Sequence, residues 1–165
     1  MHKAIREMNK ILADVDLVIE LLDARLPSSS QNPVIEKLRQ NKPSIKILSK
    51  SDLADAATTS LWQAHFEQDA SVKTLTTTPD QQDKAQKIIR LCQTLVPSKA
   101  KANLHMLVMI AGIPNVGKST LVNAVSGRKA AKTGNEPAIT KGQQRIKLTE
   151  GIILLDTPGI LWPKI

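Results

Sequence analysis

The stretch Gly112-Ile113-Pro114-Asn115-Val116-Gly117-Lys118-Ser119-Thr120 limits what this chain can fold into more than any other. It matches the pattern G-x-x-x-x-G-K-[ST] at every fixed position. The apolar run Met106 to Ala111 leads into it and reads as a buried strand, and Ser119 to Val125 reads as the start of a helix. Strand, glycine-rich loop and helix in that order form an anion trap. Glycines let backbone N–H groups curl around phosphate oxygens, the helix N-terminus adds positive potential, and Lys118 reaches the terminal phosphates. The predicted phosphate contacts are therefore Asn115, Val116, Gly117, Lys118, Ser119 and Thr120. The bland alternative is a glycine-rich turn before a structural helix.

A second segment, Asp156-Thr157-Pro158-Gly159, ends another apolar run, Gly151 to Leu155. An Asp at that place holds magnesium through water, and the Gly159 N–H reaches a γ-phosphate. Alone it is also a good turn sequence. Between the two segments lies Pro137-Ala138-Ile139-Thr140-Lys141-Gly142. The Thr140 hydroxyl completes a magnesium shell when a γ-phosphate is present, with Ser119 as the other hydroxyl ligand.

The base-reading segment lies upstream. Ser49-Lys50-Ser51-Asp52 follows the apolar run Ile45 to Leu48, at the C-terminal end of a predicted strand, where open α/β sheets bind ligands. Asp52 accepts from guanine N1–H and the exocyclic amine, a donor pair that adenine lacks. Lys50 lies along the base plane. Taken alone, Ser-Lys-Ser-Asp is equally a helix N-cap. Thr77 and Thr78 are candidates to border the base, although a threonine-rich strand end would look the same.

Hydrophobic periodicity predicts strands near 16–22, 45–49, 72–76, 106–111, 143–149 and 151–155, and helices near 2–14, 33–40, 58–67, 80–95 and 118–126. Their alternation argues for an α/β fold, a mostly parallel sheet with helices on both faces. Glu150-Gly151 signals a hairpin, which makes one edge strand antiparallel. A chain of 165 residues with 41% hydrophobic and 2% aromatic residues builds one domain on an aliphatic core. The N-terminal segment reads as an amphipathic helix rather than a signal peptide, and no apolar run reaches membrane-spanning length. One cysteine, Cys92, excludes an internal disulfide, suits a reducing cytosol, and falls on a predicted helix as a buried inert thiol.

The order of these segments resembles the circularly permuted GTPases, and within them the ribosome biogenesis GTPase A family. The resemblance spans essentially the whole chain. It is carried by Met1-His2-Lys3-Ala4, Asp23-Ala24-Arg25-Leu26-Pro27 with Asn32-Pro33, Ser49 to Asp52, Gly112 to Thr120, and Leu154 to Pro163, the last being the most specific. It implies a permuted P-loop NTPase G domain over residues 1–165, with all six strands present and the segment from Val96 to Asn103 as the join. It implies binding of GTP and GDP with magnesium, GTP hydrolysis with a low intrinsic rate raised on the ribosomal particle, and maturation of the large ribosomal subunit. The expected partners are the precursor of that subunit and its RNA, met by a cytoplasmic monomer. Asn115 matches the loop Asn that helps hold a potassium ion near the phosphates in such relatives; the alternative is that it supports the loop turn. Catalysis would then rest on Asn115, Lys118 and Thr140.

Three departures stand against the family pattern. Ser49 replaces Asn, and its hydroxyl reaches less far. Ala138 replaces the Gly of the switch loop, which stiffens it. The chain starts after the family's aromatic-rich lead, so the candidate catalytic His of that lead has no counterpart. Ile160 stands where Ras-like proteins place a water-orienting Gln. Family members continue into a switch helix and a helical C-terminal domain, so the chain is expected to be a G domain lacking its effector half. Net charge is +8. The excess is concentrated between Lys99 and Lys147, where Glu136 is the one acid. That suits ribosomal RNA phosphates, or equally a solvated basic face. The competing functional class is a non-catalytic, guanine-nucleotide-dependent binding module.

Overall fold

Short apolar runs alternate with amphipathic segments, and each becomes one layer of a three-layer structure. The computed structural model describes residues 6, 9–10, 12–31, 33–78, 82–101, 105–112, 117–126, 144–147 and 151–156. In chain order they form β1 (Leu17–Asp23), α1 (Pro27–Ser30), α2 (Pro33–Arg39), β2 (Ser44–Ser49), a 3-10 turn (Ser51–Leu53), α3 (Ala56–Phe66), β3 (Val72–Thr76), α4 (Lys84–Leu95), α5 (Pro97–Lys101), β4 (Met106–Gly112), α6 (Lys118–Ser126), β5 (Gln144–Lys147) and β6 (Ile152–Asp156). Of the N-terminal segment, Asn9, Lys10 and Leu12 to Asp14 are helical.

The sheet order is β3-β2-β1-β4-β6-β5. Five strands run parallel and β5 pairs antiparallel with β6 at one edge. β1, β2 and β4 are buried on both faces, which is why their sequences are nearly continuous apolar runs. Alternation assigns the faces. Leu17, Ile19, Leu21, Ile45, Ile47, Val108 and Ile110 pack under Ile88 and Cys92 of α4 and Leu121, Val122 and Val125 of α6. Val18, Met109 and Ala111 face the other way, against Leu12 and Ile35 of α2. Leu22 and Leu48 meet Phe66 of α3. Burial pushes the Cys92 thiol up to about 12, so it is a core atom and not a nucleophile.

That second face carries an ion pair the periodicity did not foresee. Glu20 and Lys46 are both buried, with Nζ 2.7 Å from Oε1. Glu36 lies 3.2 Å from the same ammonium, and Phe66 presents its ring 5.4 Å away. Arg39 ties Glu36 (2.8 Å) to Asp69 (3.1 Å) at the outer end.

Boundary differences have local causes. α3 begins at Ala56 rather than 58 because Asp55 caps it, with Oδ2 accepting from the Thr58 N–H at 2.9 Å. α4 begins at Lys84 rather than 80. Two short helices were not expected: α1 and α5 each start on a proline, whose preset φ and missing N–H suit a first helical turn. α5 lies inside the expected join. Among the described residues, no helix is long and apolar enough to cross a membrane.

Candidate nucleotide site

The strand order reverses between β1 and β4, and ligands of open sheets sit at the carboxyl ends of the strands flanking such a point. β4 ends at Gly112, which pairs with Leu21 of β1. The glycine-rich loop therefore leaves the sheet at the switch point. Its far end returns at Gly117, whose φ of +96° is a conformation that L side chains rarely adopt. α6 starts at once: Leu121 N–H donates to Gly117 O at 3.0 Å. Lys118 and Ser119 are half-buried in its first turn.

Asp156 ends β6, beside Ile110 of β4. Lys118 Nζ stands 2.9 Å from Asp156 Oδ1. The contact is an ion pair without hydrogen-bond alignment, because the same buried oxygen accepts no well-directed hydrogen bond. A buried carboxylate oxygen with spare acceptor capacity beside Lys118, the predicted phosphate contact, fits a hydrated divalent cation. Asn115, Val116, Thr140 and Gly159 lie outside the described residues, as do Ala138 and Ile160.

The base-side segment converges on the same place. Ser49 closes β2, and its Oγ donates to Leu22 O at 3.0 Å. Lys50 follows in the left-handed region, φ 58° and ψ 37°, which is strained for a side chain this long. Its Nζ lies 3.9 Å from Asp23 Oδ2. Ser51 is tied to the next loop twice, by N–H (3.1 Å) and Oγ (3.2 Å) to Thr77 O. Thr77 is buried and extends the ladder through its N–H to Leu48 O at 3.0 Å. Asp52 is exposed on the 3-10 turn. The helix that follows is capped by Asp55 instead, which removes the capping alternative for Asp52.

Leu21, Ser49, Lys50, Thr77, Thr78, Lys84, Gly117, Thr120 and Leu121 line one cavity of about 190 Å³. The predicted base-side and phosphate-side residues thus share a wall-to-wall space. Asp52 sits outside the lining, on the exposed turn next to Lys50. Two contributors were missed by sequence reasoning. Asp23 braces Lys50 and is itself held by Arg25, through Nε at 3.1 Å and Nη2 at 2.8 Å; these bonds keep its carboxyl below the usual carboxylate range. The D-A-R-L-P stretch was the available signal. Lys84 gave no signal, since a lysine opening an amphipathic helix looks like a solvated one.

This chain is similar to known proteins along almost its full length. Residues 107–165 match the family model described as 50S ribosome-binding GTPase. Ribosome biogenesis GTPase A of Bacillus pumilus (strain SAFR-032) is 45% identical over 99% of this chain and 60% of its own length. The chain is similar to the ribosome biogenesis GTPase A proteins over the part of them that it spans. Mitochondrial ribosome-associated GTPase 1 of Mus musculus is 34% identical over 100% of this chain and 54% of its own length. The solved GDP-bound structure of TM YlqF superposes with a TM-score of 0.67 at 29% identity, covering 97% of this chain and 60% of that one. The sheet order and the superposition fit the circularly permuted G domain that the resemblance implied. The chain spans about 60% of the length of these curated relatives.

Proposed function

We propose that this chain binds guanine nucleotides and hydrolyses GTP to GDP and phosphate, in the service of maturing the large ribosomal subunit. The observation that supports it most is the single cavity shared by Ser49, Lys50, Thr77 and Thr78 on one side and Gly117 and Thr120 on the other. A nucleotide laid across it has its phosphates on the loop of Asn115 to Thr120 and its base between Lys50 and the Thr77–Thr78 strand end. Asp52 and Ser51 complete the base side, with Asp52 accepting from the guanine Watson–Crick edge.

Lys118 holds the β- and γ-oxygens, and the backbone N–H groups after Asn115 do the same without net charge. Ser119, Thr140 and Asp156 are the donor set for magnesium, which supplies positive charge against the phosphate oxygens when bound. Asn115 is the candidate to place a potassium ion, and the Gly159 N–H meets the γ-phosphate. Ile160 has no group to orient water, so full turnover needs a contribution from outside this loop. The proposed partners are the precursor subunit and its RNA, met by the basic segment between Lys99 and Lys147, in the cytoplasm and as a monomer.

Ile160 also motivates a second reading, a nucleotide-dependent binding module without turnover. Phosphate release by this chain, alone and with large-subunit particles, separates them. Stimulated release supports the hydrolytic role. Tight guanine-nucleotide binding with no release under either condition favours the binding module.

Lys50→Gly tests the base platform. Glycine relieves the left-handed strain, about 1–2 kcal/mol, but adds backbone freedom to the unfolded chain at about 0.5–1 kcal/mol. The thermal midpoint is therefore expected to stay close to the parent's while GDP affinity falls. A lower midpoint with unchanged affinity would assign Lys50 to the fold.

A further inference from the structure

Lys50 lines the cavity with its backbone pinned on every side. Ser49 O accepts from Ala24 N–H at 2.8 Å, Lys50 O accepts from Leu53 N–H at 3.0 Å, and Ser51 N–H donates to Thr77 O at 3.1 Å. These ties fix the left-handed turn, and with it the direction in which the side chain departs. The side chain beyond is a long flexible stem, 34% exposed. An ammonium on such a stem loses rotamer freedom when a ligand orders it, which weakens binding. A neighbour that places it beforehand removes part of that cost.

Asp23 has the geometry of such a neighbour. Register sets it beside Ser49, one residue before Lys50. Its carboxylate is clamped: Oδ1 accepts from the Arg25 N–H (2.9 Å) and Nε (3.1 Å), and Oδ2 accepts from Nη2 (2.8 Å). Its own N–H donates to Ser30 Oγ at 3.0 Å, and that hydroxyl donates to Leu26 O at 2.8 Å, so the turn after β1 closes on itself. Lys50 Nζ stands 3.9 Å from Asp23 Oδ2, near enough for attraction and too far for a hydrogen bond. Arg25 takes the hydrogen bonds of the carboxylate. Asp23 therefore draws the ammonium toward one place without consuming its donors.

We propose that Asp23, clamped by Arg25, is a positioning residue for nucleotide binding: it sets the Lys50 side chain as one wall of the base slot and acts on the nucleotide only through that lysine. This rests on the guanine-nucleotide reading above. The charge is what matters. An asparagine at position 23 keeps the size and an acceptor for Arg25, but it no longer draws the ammonium.

The test is a double-variant cycle read by GDP titration on the parent chain, Asp23→Asn, Lys50→Met and the two together. Methionine keeps the stem and drops the charge. Asp23→Asn is expected to weaken GDP about fivefold in the parent and to have no further effect in Lys50→Met, because groups that act through one another do not add. Inorganic pyrophosphate, which has no base, is expected to compete equally well against the parent and Asp23→Asn. The same loss of GDP affinity in both backgrounds would make Asp23 a structural residue independent of Lys50 and overturn the assignment. An equal loss for pyrophosphate would put the pair on the phosphates and overturn it too. If Asp23→Asn does not fold, Arg25→Gln takes its place, since that arginine side chain is 46% exposed. It frees the carboxylate to close on Lys50 and take the ammonium from the base, so GDP should again weaken in the parent and not in Lys50→Met; a loss that persists there overturns the proposal. A parent that binds no GDP overturns the guanine reading itself, which is a different failure from additive losses in a parent that does bind it.

Discussion

Lys118→Ala is expected to lower affinity for GDP and GTP by about a hundredfold or more, with the fold retained. The lysine is the one full positive charge that the glycine-rich loop itself brings to the phosphates, and a hydrogen bond from a charged donor contributes about 1.5–3 kcal/mol. Two such bonds to phosphate oxygens account for a loss of that size. The folding cost is small. Lys118 and Asp156 keep 15% and 16% of their side chains exposed, so the pair lies close to the surface and truncating the lysine opens the buried Asp156 Oδ1 to water. Far-ultraviolet dichroism and the urea midpoint should therefore stay near the parent's while nucleotide titration fails. Unchanged nucleotide affinity in Lys118→Ala would remove the phosphate-binding role from this loop. A collapse of the urea midpoint would instead make the Lys118–Asp156 pair part of the fold.

Glu20→Ala is expected to be the most damaging single change to stability away from the nucleotide. It leaves the Lys46 ammonium, 4% exposed, facing a hole where its 2.7 Å partner stood. Removing one partner of a buried pair costs about 3–5 kcal/mol. Here the lower end is expected, because Glu36 at 3.2 Å and the Phe66 ring still face the ammonium. The informative companion is the double replacement Glu20→Met with Lys46→Met. It removes both charges and keeps the volume, and buried pairs replaced in this way are often neutral or stabilising. Urea unfolding should show a large loss for Glu20→Ala and recovery of most of it in the double variant. Equal losses in both would mean that the hydrogen bonds of this network, rather than the stranded charge, hold β1 to β2.

Legibility from sequence followed the range of the forces involved. β3 at Val72–Thr76 stands where its period placed it, and β1, β2 and β4 stand within a residue or two. Each is a run whose neighbours in the chain already state its environment. α3 shows the limit. Its start depended on whether Asp55 or a later residue would cap it, and the side-chain geometry of Asp55 with Thr58 decides that. Asp52 was the same problem from the other side. As a sequence it was equally a cap; once Asp55 takes that role, Asp52 stands on an exposed turn next to Lys50.

The class of the fold was legible in the sequence, as were the candidate phosphate loop and the candidate base-side segment ahead of it. Those depend on apolar periodicity and on glycine, lysine and aspartate at fixed short spacings, which are properties of neighbouring residues. Three-dimensional packing, by contrast, brings Lys84 and Ser49 into one cavity with Gly117, sets Asp23 against Lys50, and pairs Glu20 with Lys46 inside the sheet. These are meetings between segments far apart in the chain. They follow from sheet order and register, which place Asp23 beside Ser49 and Glu20 beside Lys46, and no local pattern records them.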